Sequence, residues 1–301
     1  MTRGEGAWRL APVKVNLTLH VGAVRSDGYH PVSSLCFFPA IGDRVALGPV
    51  ADNFSLEVAG PLAHELSDVP PERNLALRAA RLLADVSAVR PRVLRLDKRV
   101  PAAAGIAGGT ADAAAVLSLL NADSQQPLRP EALRRLSRAL GADGPVCVAG
   151  QEAEGGVWLA EGDGDRVSRA GAAPPLWCVL ANPGTAVPTG QVFRLFDAAP
   201  PPGPLAQPAG LVRTTQGLIE RAERGRNDLR SAALALAPEV AAVEDALAAA
   251  PGCRFARMSG SGATVFALFS SAAAAARAAR RQRAGGRWCA AAPVLTGART
   301  A

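Results

Sequence analysis

The sequence predicts a mixed α and β protein in two parts, and three observations carry that expectation. At 301 residues the chain is long enough for about two domains of about 150 residues each. An apolar content of 49% is enough to give each a core. Segments with the two-residue period of a strand are interleaved with segments of helical period, which is the mark of layered α and β structure.

The first element is Val13 to Val21, where Val13, Val15, Leu17, Leu19 and Val21 alternate with Lys14, Asn16, Thr18 and His20. That period predicts a strand with one polar face, on which Lys14 and Asn16 point the same way, about 7 Å apart. Residues 74–86 (NLALRAARLLADV) read as an amphipathic helix. From Val93 to Val100, Leu94, Leu96 and Val100 alternate with Arg95, Asp97 and Arg99, a second strand that leads into the loop PAAAGIAGGT. A helix follows, started by Thr110 or Asp112, with Ala113, Val116, Leu117 and Leu120 at helical spacing and Asn121 at its end. Pro130 to Leu140 is a further helix, and Asp143 precedes an apolar, strand-like run. This succession reads as a first layered unit ending near residue 165, so the chain divides into 1–165 and 166–301. In the second part LWCVLANP (176–183) is a buried strand, and APPPGPLAQPAG (199–210) is a Pro-rich loop. Helices are expected over Arg213 to Arg224 and Pro238 to Ala249. The turn SGSGA (259–263) then opens onto a short strand, Thr264 to Phe269, and an Ala-rich helix carries Arg277, Arg280, Arg281 and Arg283.

Composition excludes several function classes. The formal charge is +7, from 33 Lys and Arg against 26 Asp and Glu, yet no long basic block occurs. Aromatic residues make up only 4% and do not interleave with a basic patch, so a nucleic-acid-binding role has few stacking platforms. No apolar run approaches a membrane span, and a cytosolic protein is expected. Cys36, Cys147, Cys178, Cys253 and Cys289 are far apart with no C-x-x-C pair, which suggests buried thiols. Lys14 and Lys98 are the only lysines, followed by Val15 and Arg99, so the P-loop motif G-x-x-x-x-G-K-[ST] cannot occur. No histidine is followed by Arg-Asp as in the protein-kinase catalytic loop, and G-x-G-x-x-G is absent.

Three short stretches carry chemistry. GIAGGTADAAA (105–115) joins closely spaced glycines to a helix start, where backbone N–H groups and the helix dipole favour an anion; without a ligand it is a tight strand-to-helix turn. LGADGPV (140–146) places Asp143 after a helix end, where an Asp is ordinarily a cap or turn residue. DGYHPVSSL (27–35) holds the single tyrosine of the chain beside one of its three histidines, and the plain alternative is a packed turn.

Their joint order with APVKVNLTLHV, NDL (227–229) and ARMSGSGATVFALF resembles the GHMP small-molecule kinases. Within them it resembles the branch acting on a cytidine-diphosphate-linked methylerythritol in the methylerythritol phosphate route to isoprenoids. The match runs from about Ala11 to Phe269. APAKINL is met as APVKVNL, ADGYH as SDGYH, PxxxGLGGGSSDAA as PAAAGIAGGTADAA, LGADVP as LGADGP, and SGSGATxFAL in full. Ala107 stands where the family has Gly, Ala111 where it has its second Ser, and Gly144 where it has Val.

The resemblance implies an α+β two-domain GHMP kinase fold. Its N-terminal domain is similar to ribosomal protein S5 domain 2, its C-terminal domain is ferredoxin-like, and ligands lie in the cleft between. It implies ATP with Mg²⁺, and transfer of the γ-phosphoryl group to the 2-hydroxyl of the methylerythritol moiety. Carried over by motif, Asp143 is the base and Lys14 its neighbour. An alcohol needs a carboxylate to take its proton, and an ammonium at about 4 Å and an effective dielectric near 20 favours the ionised carboxylate by about 4 kcal/mol before desolvation costs. Pro101, Ala102, Ala103, Ala104, Gly105, Ile106, Ala107, Gly108, Gly109, Thr110 and Ala111 surround the ATP phosphates, with the Thr110 hydroxyl approaching Mg²⁺ and Lys98 near the nucleotide. Tyr29 and Phe193 sandwich the cytosine, His30 reads its polar edge, and Asn16 and Thr189 contact the rest of the substrate. The rival within the family is a homoserine or mevalonate kinase or a weakly active homologue, and DGYH with Phe193 argues against the former because neither substrate has a base to stack. The rival from another class is nucleic-acid binding, which predicts steep salt dependence and no ADP release with a small alcohol.

Overall fold

The computed structural model of the chain describes residues 6–199, 203–205 and 210–297. In chain order the first strands are β1 (Arg9–Pro12), β2 (Val15–Asn16), β3 (His20–Val21), β4 (Val32–Phe37), β5 (Gly42–Val50) and β6 (Ser55–Ala59). Next come α1 (Leu75–Ala84), β7 (Arg92–Asp97), α2 (Gly108–Asp123), α3 (Pro130–Ser137), α4 (Gly144–Glu152), β8 (Val157–Gly162), β9 (Arg166–Gly171) and β10 (Trp177–Asn182). The chain continues through α5 (Thr189–Asp197), α6 (Thr215–Arg224), α7 (Arg230–Leu236), α8 (Glu239–Ala248), β11 (Cys253–Met258), β12 (Val265–Phe269), α9 (Ala272–Ala284) and β13 (Trp288–Pro293). Among the described residues no helix is long and apolar enough to cross a membrane.

These elements form two compact units that are discontinuous in sequence. The first holds the chain up to Val13, Ile41–Ala102 and Ala107–Glu152; the second holds Lys14–Ala40, Ala103–Ile106 and the chain from Ala153 onward. In the first unit a sheet of order β1-β5-β7-β6, with β6 parallel to β7, carries α1 to α4. Asn74 caps α1 by accepting the Ala76 N–H, so the predicted start of that helix is met within a residue. Helix α2 is buried from Ala111 through Leu117 among α1, α4 and the sheet. Its run of alanines lets these neighbours come close, and larger side chains there would overpack at about 1 to 3 kcal/mol each.

The second unit contains an antiparallel sheet β2-β4-β8-β9, with β3 also paired to β4, and a second sheet of order β11-β12-β10-β13. The latter, with helices between β10 and β11 and α9 between β12 and β13, has the βαββαβ order expected of a ferredoxin-like domain. Its core gathers Val179, Phe196, Leu229, Val243, Leu247, Val265 and Phe269.

Three expectations are corrected. The strand Val13 to Val21 is broken, because the N–H groups of Leu17 and Thr18 both donate to the Leu35 carbonyl, at 2.7 and 3.3 Å, a bulge that separates β2 from β3. Its polar side is interior: Lys14, Asn16, Thr18 and His20 are at most 4% exposed. The apolar run after Asp143 is helix α4 and not a strand; it is buried on all sides, so no amphipathic period marks it. Helix α2 begins before Thr110, with Ala107 at its N-cap, and Asp112 is buried inside it instead of capping it. The Pro-rich stretch 199–210 lies largely outside the described residues.

Candidate active site

The first unit supplies both stems of the Gly-rich loop. At the entry stem Asp43, fully buried, accepts the Lys98 ammonium at 2.5 Å and the backbone N–H groups of Arg99 at 2.5 Å and Val100 at 2.9 Å. Further along, the Ala102 N–H donates to Glu65 Oε2 at 2.6 Å. Lys98 is 2% exposed, so its charge is spent on Asp43 and the stem and is not presented to solvent. At the exit stem Ala107 takes the left-handed conformation, φ 54° and ψ 34°, and its carbonyl accepts the Ala111 N–H. Gly109 is exposed and Thr110 half-buried at the first turn of α2, whereas Ala111 is buried. Asp112 lies below them, and burial together with the nearby Asp43 carboxylate pushes its carboxyl well above the ordinary range.

Asp143 is half-buried, and its carbonyl accepts the Cys147 N–H, which puts it at the N-terminal cap of α4. Gly144 fits this place sterically. A Cβ there would lie 2.1 Å from the Ser137 carbonyl oxygen, so the departure from Val lets α4 start hard against the turn after α3.

The second unit supplies the loop apex and a connected polar network. Ser259 of the SGSGA turn donates its hydroxyl to the Gly105 carbonyl at 3.1 Å, and its oxygen accepts the Asn16 N–H at 3.0 Å. The Thr264 N–H donates to the Ala104 carbonyl at 3.3 Å. Gly105 has φ 73°, and a Cβ on it would lie 2.5 Å from the Gly262 carbonyl oxygen. Lys14 Nζ donates to Asn16 Oδ1 at 2.9 Å, and Asn16 Nδ2 donates to Ser34 Oγ at 2.7 Å. Asn227 explains the NDL motif: its Nδ2 donates to the Met258 and Gly260 carbonyls, both at 2.9 Å, and so shapes the same turn.

The DGYH segment is braced in the same unit. Asp27 accepts the Tyr29 N–H at 3.0 Å and pairs with Arg25, which also pairs with Asp163 at 2.7 Å. The adjoining Arg25 guanidinium holds the Asp27 carboxyl below its ordinary range. Tyr29 projects from this turn, 66% exposed. His30 instead packs against α5, its ring centroid 4.8 Å from that of Phe193, and its Nε2 lies 2.6 Å from Asp197 Oδ1. One turn before Phe193, the Thr189 hydroxyl lies 2.8 Å from that of Ser261. The structure thus joins Lys14, Asn16 and Gly105 in one network and His30 with Phe193 in one cluster; Asp143 and Thr110 belong to the other unit. Asp43, Ser34, Ser259 and Asp197 were not singled out from the sequence, because each meets its partner only through the fold.

Comparison with known proteins matches residues 74–151 to the GHMP kinase N-terminal domain and residues 210–286 to the GHMP kinase C-terminal domain. The chain is 44% identical over 265 residues to a 4-diphosphocytidyl-2-C-methyl-D-erythritol kinase of Paramagnetospirillum magneticum, covering 86% of this chain and 88% of the relative. A counterpart from Cereibacter sphaeroides is 47% identical, with the same coverage. The crystal structure of a 4-(cytidine 5'-diphospho)-2C-methyl-D-erythritol kinase superposes with a TM-score of 0.75 at 34% identity, covering 96% of this chain and 99% of that one. A homoserine kinase from Cytophaga hutchinsonii, 16% identical with a TM-score of 0.67, shares the fold.

Proposed function

The chain belongs to the 4-diphosphocytidyl-2-C-methyl-D-erythritol kinases of the GHMP kinase family, and on that premise we propose that it transfers the γ-phosphoryl group of ATP to the 2-hydroxyl of 4-diphosphocytidyl-2-C-methyl-D-erythritol, releasing ADP. The observation that carries the reading is the network in which the loop apex at Gly105, the SGSGA turn at Ser259 and the Asn16–Lys14 pair are hydrogen-bonded in series. Three motifs far apart in sequence therefore meet in one structure, as a shared ligand site requires.

In the proposed reaction the Asp143 carboxylate takes the hydroxyl proton as the oxygen attacks the γ-phosphorus, and the bond to the β,γ-bridging oxygen breaks toward ADP. The Lys14 ammonium, held by Asn16, offsets negative charge on the transferring group. The loop 101–111 surrounds the phosphates and receives them on backbone N–H groups between Ala103 and Thr110, with Lys98 bracing its entry stem through Asp43. No group of three His, Cys, Asp or Glu side chains among the described residues could hold a metal alone. Mg²⁺ bound together with ATP would be met by the Thr110 hydroxyl and would supply charge neutralisation at the phosphates. Tyr29 and Phe193 stack the cytosine, His30 meets its polar edge, and Asn16 and Thr189 hold the rest of the substrate.

The test is ADP release with the cytidine diphosphate substrate, mevalonate and homoserine assayed side by side. Turnover with the first alone is expected; preference for either of the others overturns the assignment.

A further inference from the structure

Helix α5 builds a three-sided seat for His30. Phe193 lies against the ring at 4.8 Å between centroids, Phe196 approaches edge-on at 5.9 Å, and Asp197 meets Nε2 at 2.6 Å. These residues stand at i, i+3 and i+4, the spacing that places side chains on one helix face. The imidazole is left 8% exposed. Among the described residues the ring's hydrogen bond is made by Nε2 and none is made by Nδ1, which leaves Nδ1 as the nitrogen with capacity for a ligand.

A carboxylate only accepts, so Nε2 must carry the hydrogen in this contact. In the neutral ring the other nitrogen then has a lone pair and no hydrogen, and which nitrogen is which is fixed by the partner of the first. Cytosine offers an exocyclic 4-amino donor where uracil offers a 4-oxo acceptor. A lone pair on Nδ1 pairs with the former and opposes the latter.

We propose that Asp197 is a specificity-determining positioning residue, which by accepting the Nε2 hydrogen of His30 leaves Nδ1 as an acceptor that selects cytosine over uracil. The inference rests on the reading that His30 meets the base, and goes beyond it by assigning the origin of the choice between pyrimidines to a side chain 167 residues away in sequence. Phe193 and Phe196 pack the plane of the ring, and a turn that exchanged its nitrogens would give up the Nε2–Asp197 hydrogen bond.

The test compares kcat/KM for the cytidine diphosphate substrate and its uridine counterpart in wild type, Asp197→Ala, Asp197→Asn and His30→Ala. Asp197→Ala is expected to lower the cytidine-to-uridine ratio by about tenfold or more, through KM for the alcohol substrate, with KM for ATP unchanged. Asp197→Asn, whose side-chain oxygen can still accept from Nε2, is expected to stay within a few fold of wild type. An activity-independent readout is the ¹⁵N spectrum of the His30 ring at about pH 8, above the ordinary histidine range. It is expected to show the Nε2–H tautomer in wild type and a mixture in Asp197→Ala. If His30→Ala loses the selectivity and Asp197→Ala keeps it, the proposal fails while the reading of His30 stands. If His30→Ala itself keeps the selectivity, both fail. A wild-type ring with hydrogen on Nδ1 at that pH overturns the proposal whatever the kinetics.

Discussion

Gly105→Ala isolates what the loop apex needs from its closest contact. Gly105 and Gly286 have nearly the same φ, 73° and 77°, so a methyl at either carries a similar cost for positive φ. That cost is about 1 to 2 kcal/mol, less about 0.4 to 1 kcal/mol regained because the unfolded chain loses freedom. At Gly286 nothing lies within 4 Å of the added carbon, so Gly286→Ala is expected to destabilise by about 1 kcal/mol and lower the melting midpoint by about 2 to 4 °C. At Gly105 the carbon would lie 2.5 Å from the Gly262 oxygen, 2.7 Å from the Ser259 oxygen and 2.9 Å from the Gly262 nitrogen, all backbone atoms that cannot swing aside. Overpacking of this kind adds about 1 to 3 kcal/mol, for a total of about 2 to 4 kcal/mol. Relief moves the apex by roughly 1 Å, and misplacement on that scale costs about 10²-fold in rate. The assay is a thermal melt with and without Mg-ATP, alongside ADP release. Equal melting midpoints for the two variants, with Gly105→Ala turning over normally, would refute the argument that the apex must touch the SGSGA turn.

Asp143→Asn is expected to hold ATP affinity within a few fold and lower turnover by about 10² or more, and unchanged turnover removes Asp143 from the chemistry. Lys14→Met keeps an unbranched apolar stem while deleting the ammonium; turnover is expected to fall by a similar factor with little change in melting, and retained activity would contradict the charge role. Ala107→Gly relieves a left-handed alanine at φ 54° but gives up methyl packing and unfolded-state order. Stability is therefore expected to stay within about 1 kcal/mol while ATP affinity or turnover improves, and a lower midpoint with unchanged kinetics counts against strain in the loop. Asp112 has its folded-state pKa raised above the unfolded value of about 3.9, so the stability it contributes is present at low pH and is lost as pH rises through the folded value. Asp112→Asn, a mimic of the protonated acid, is expected to lose less stability than wild type as pH rises above the ordinary carboxylate range, and parallel stability–pH curves would refute this.

What could be read before folding was local. Asn74, Thr214 and Ser271 accept N–H groups in the first turns of α1, α6 and α9, and caps of this kind are written in neighbouring residues. The site was legible where a motif holds its own chemistry, as at Lys14 with Asn16 and in the DGYH turn. It was illegible where partners are distant: Asp43 meets Lys98 across 55 residues and Asn16 meets Ser34 across 18, and no nearby residue announces either pairing. Burial erased a further signal, since α4 packs every side from Gly144 to Gln151 and so shows no polar face to set its period. The strand expected over Val13 to Val21 erred for the related reason that alternation was taken to mean one wet face, whereas Lys14, Thr18 and His20 are buried.

The scarcity of lysine gives the molecule an unusual chemical footprint. Every exposed cationic side chain is a guanidinium or imidazole, because Lys14 and Lys98 are both buried, and aside from the α-amino group no amine is open to acylating reagents in the folded chain. Each lysine sits in a different compact unit, Lys98 in the first and Lys14 in the second. Amine labelling therefore reports transient opening of each unit separately, and the ratio of the two modified peptides ranks their local stabilities without any engineered probe.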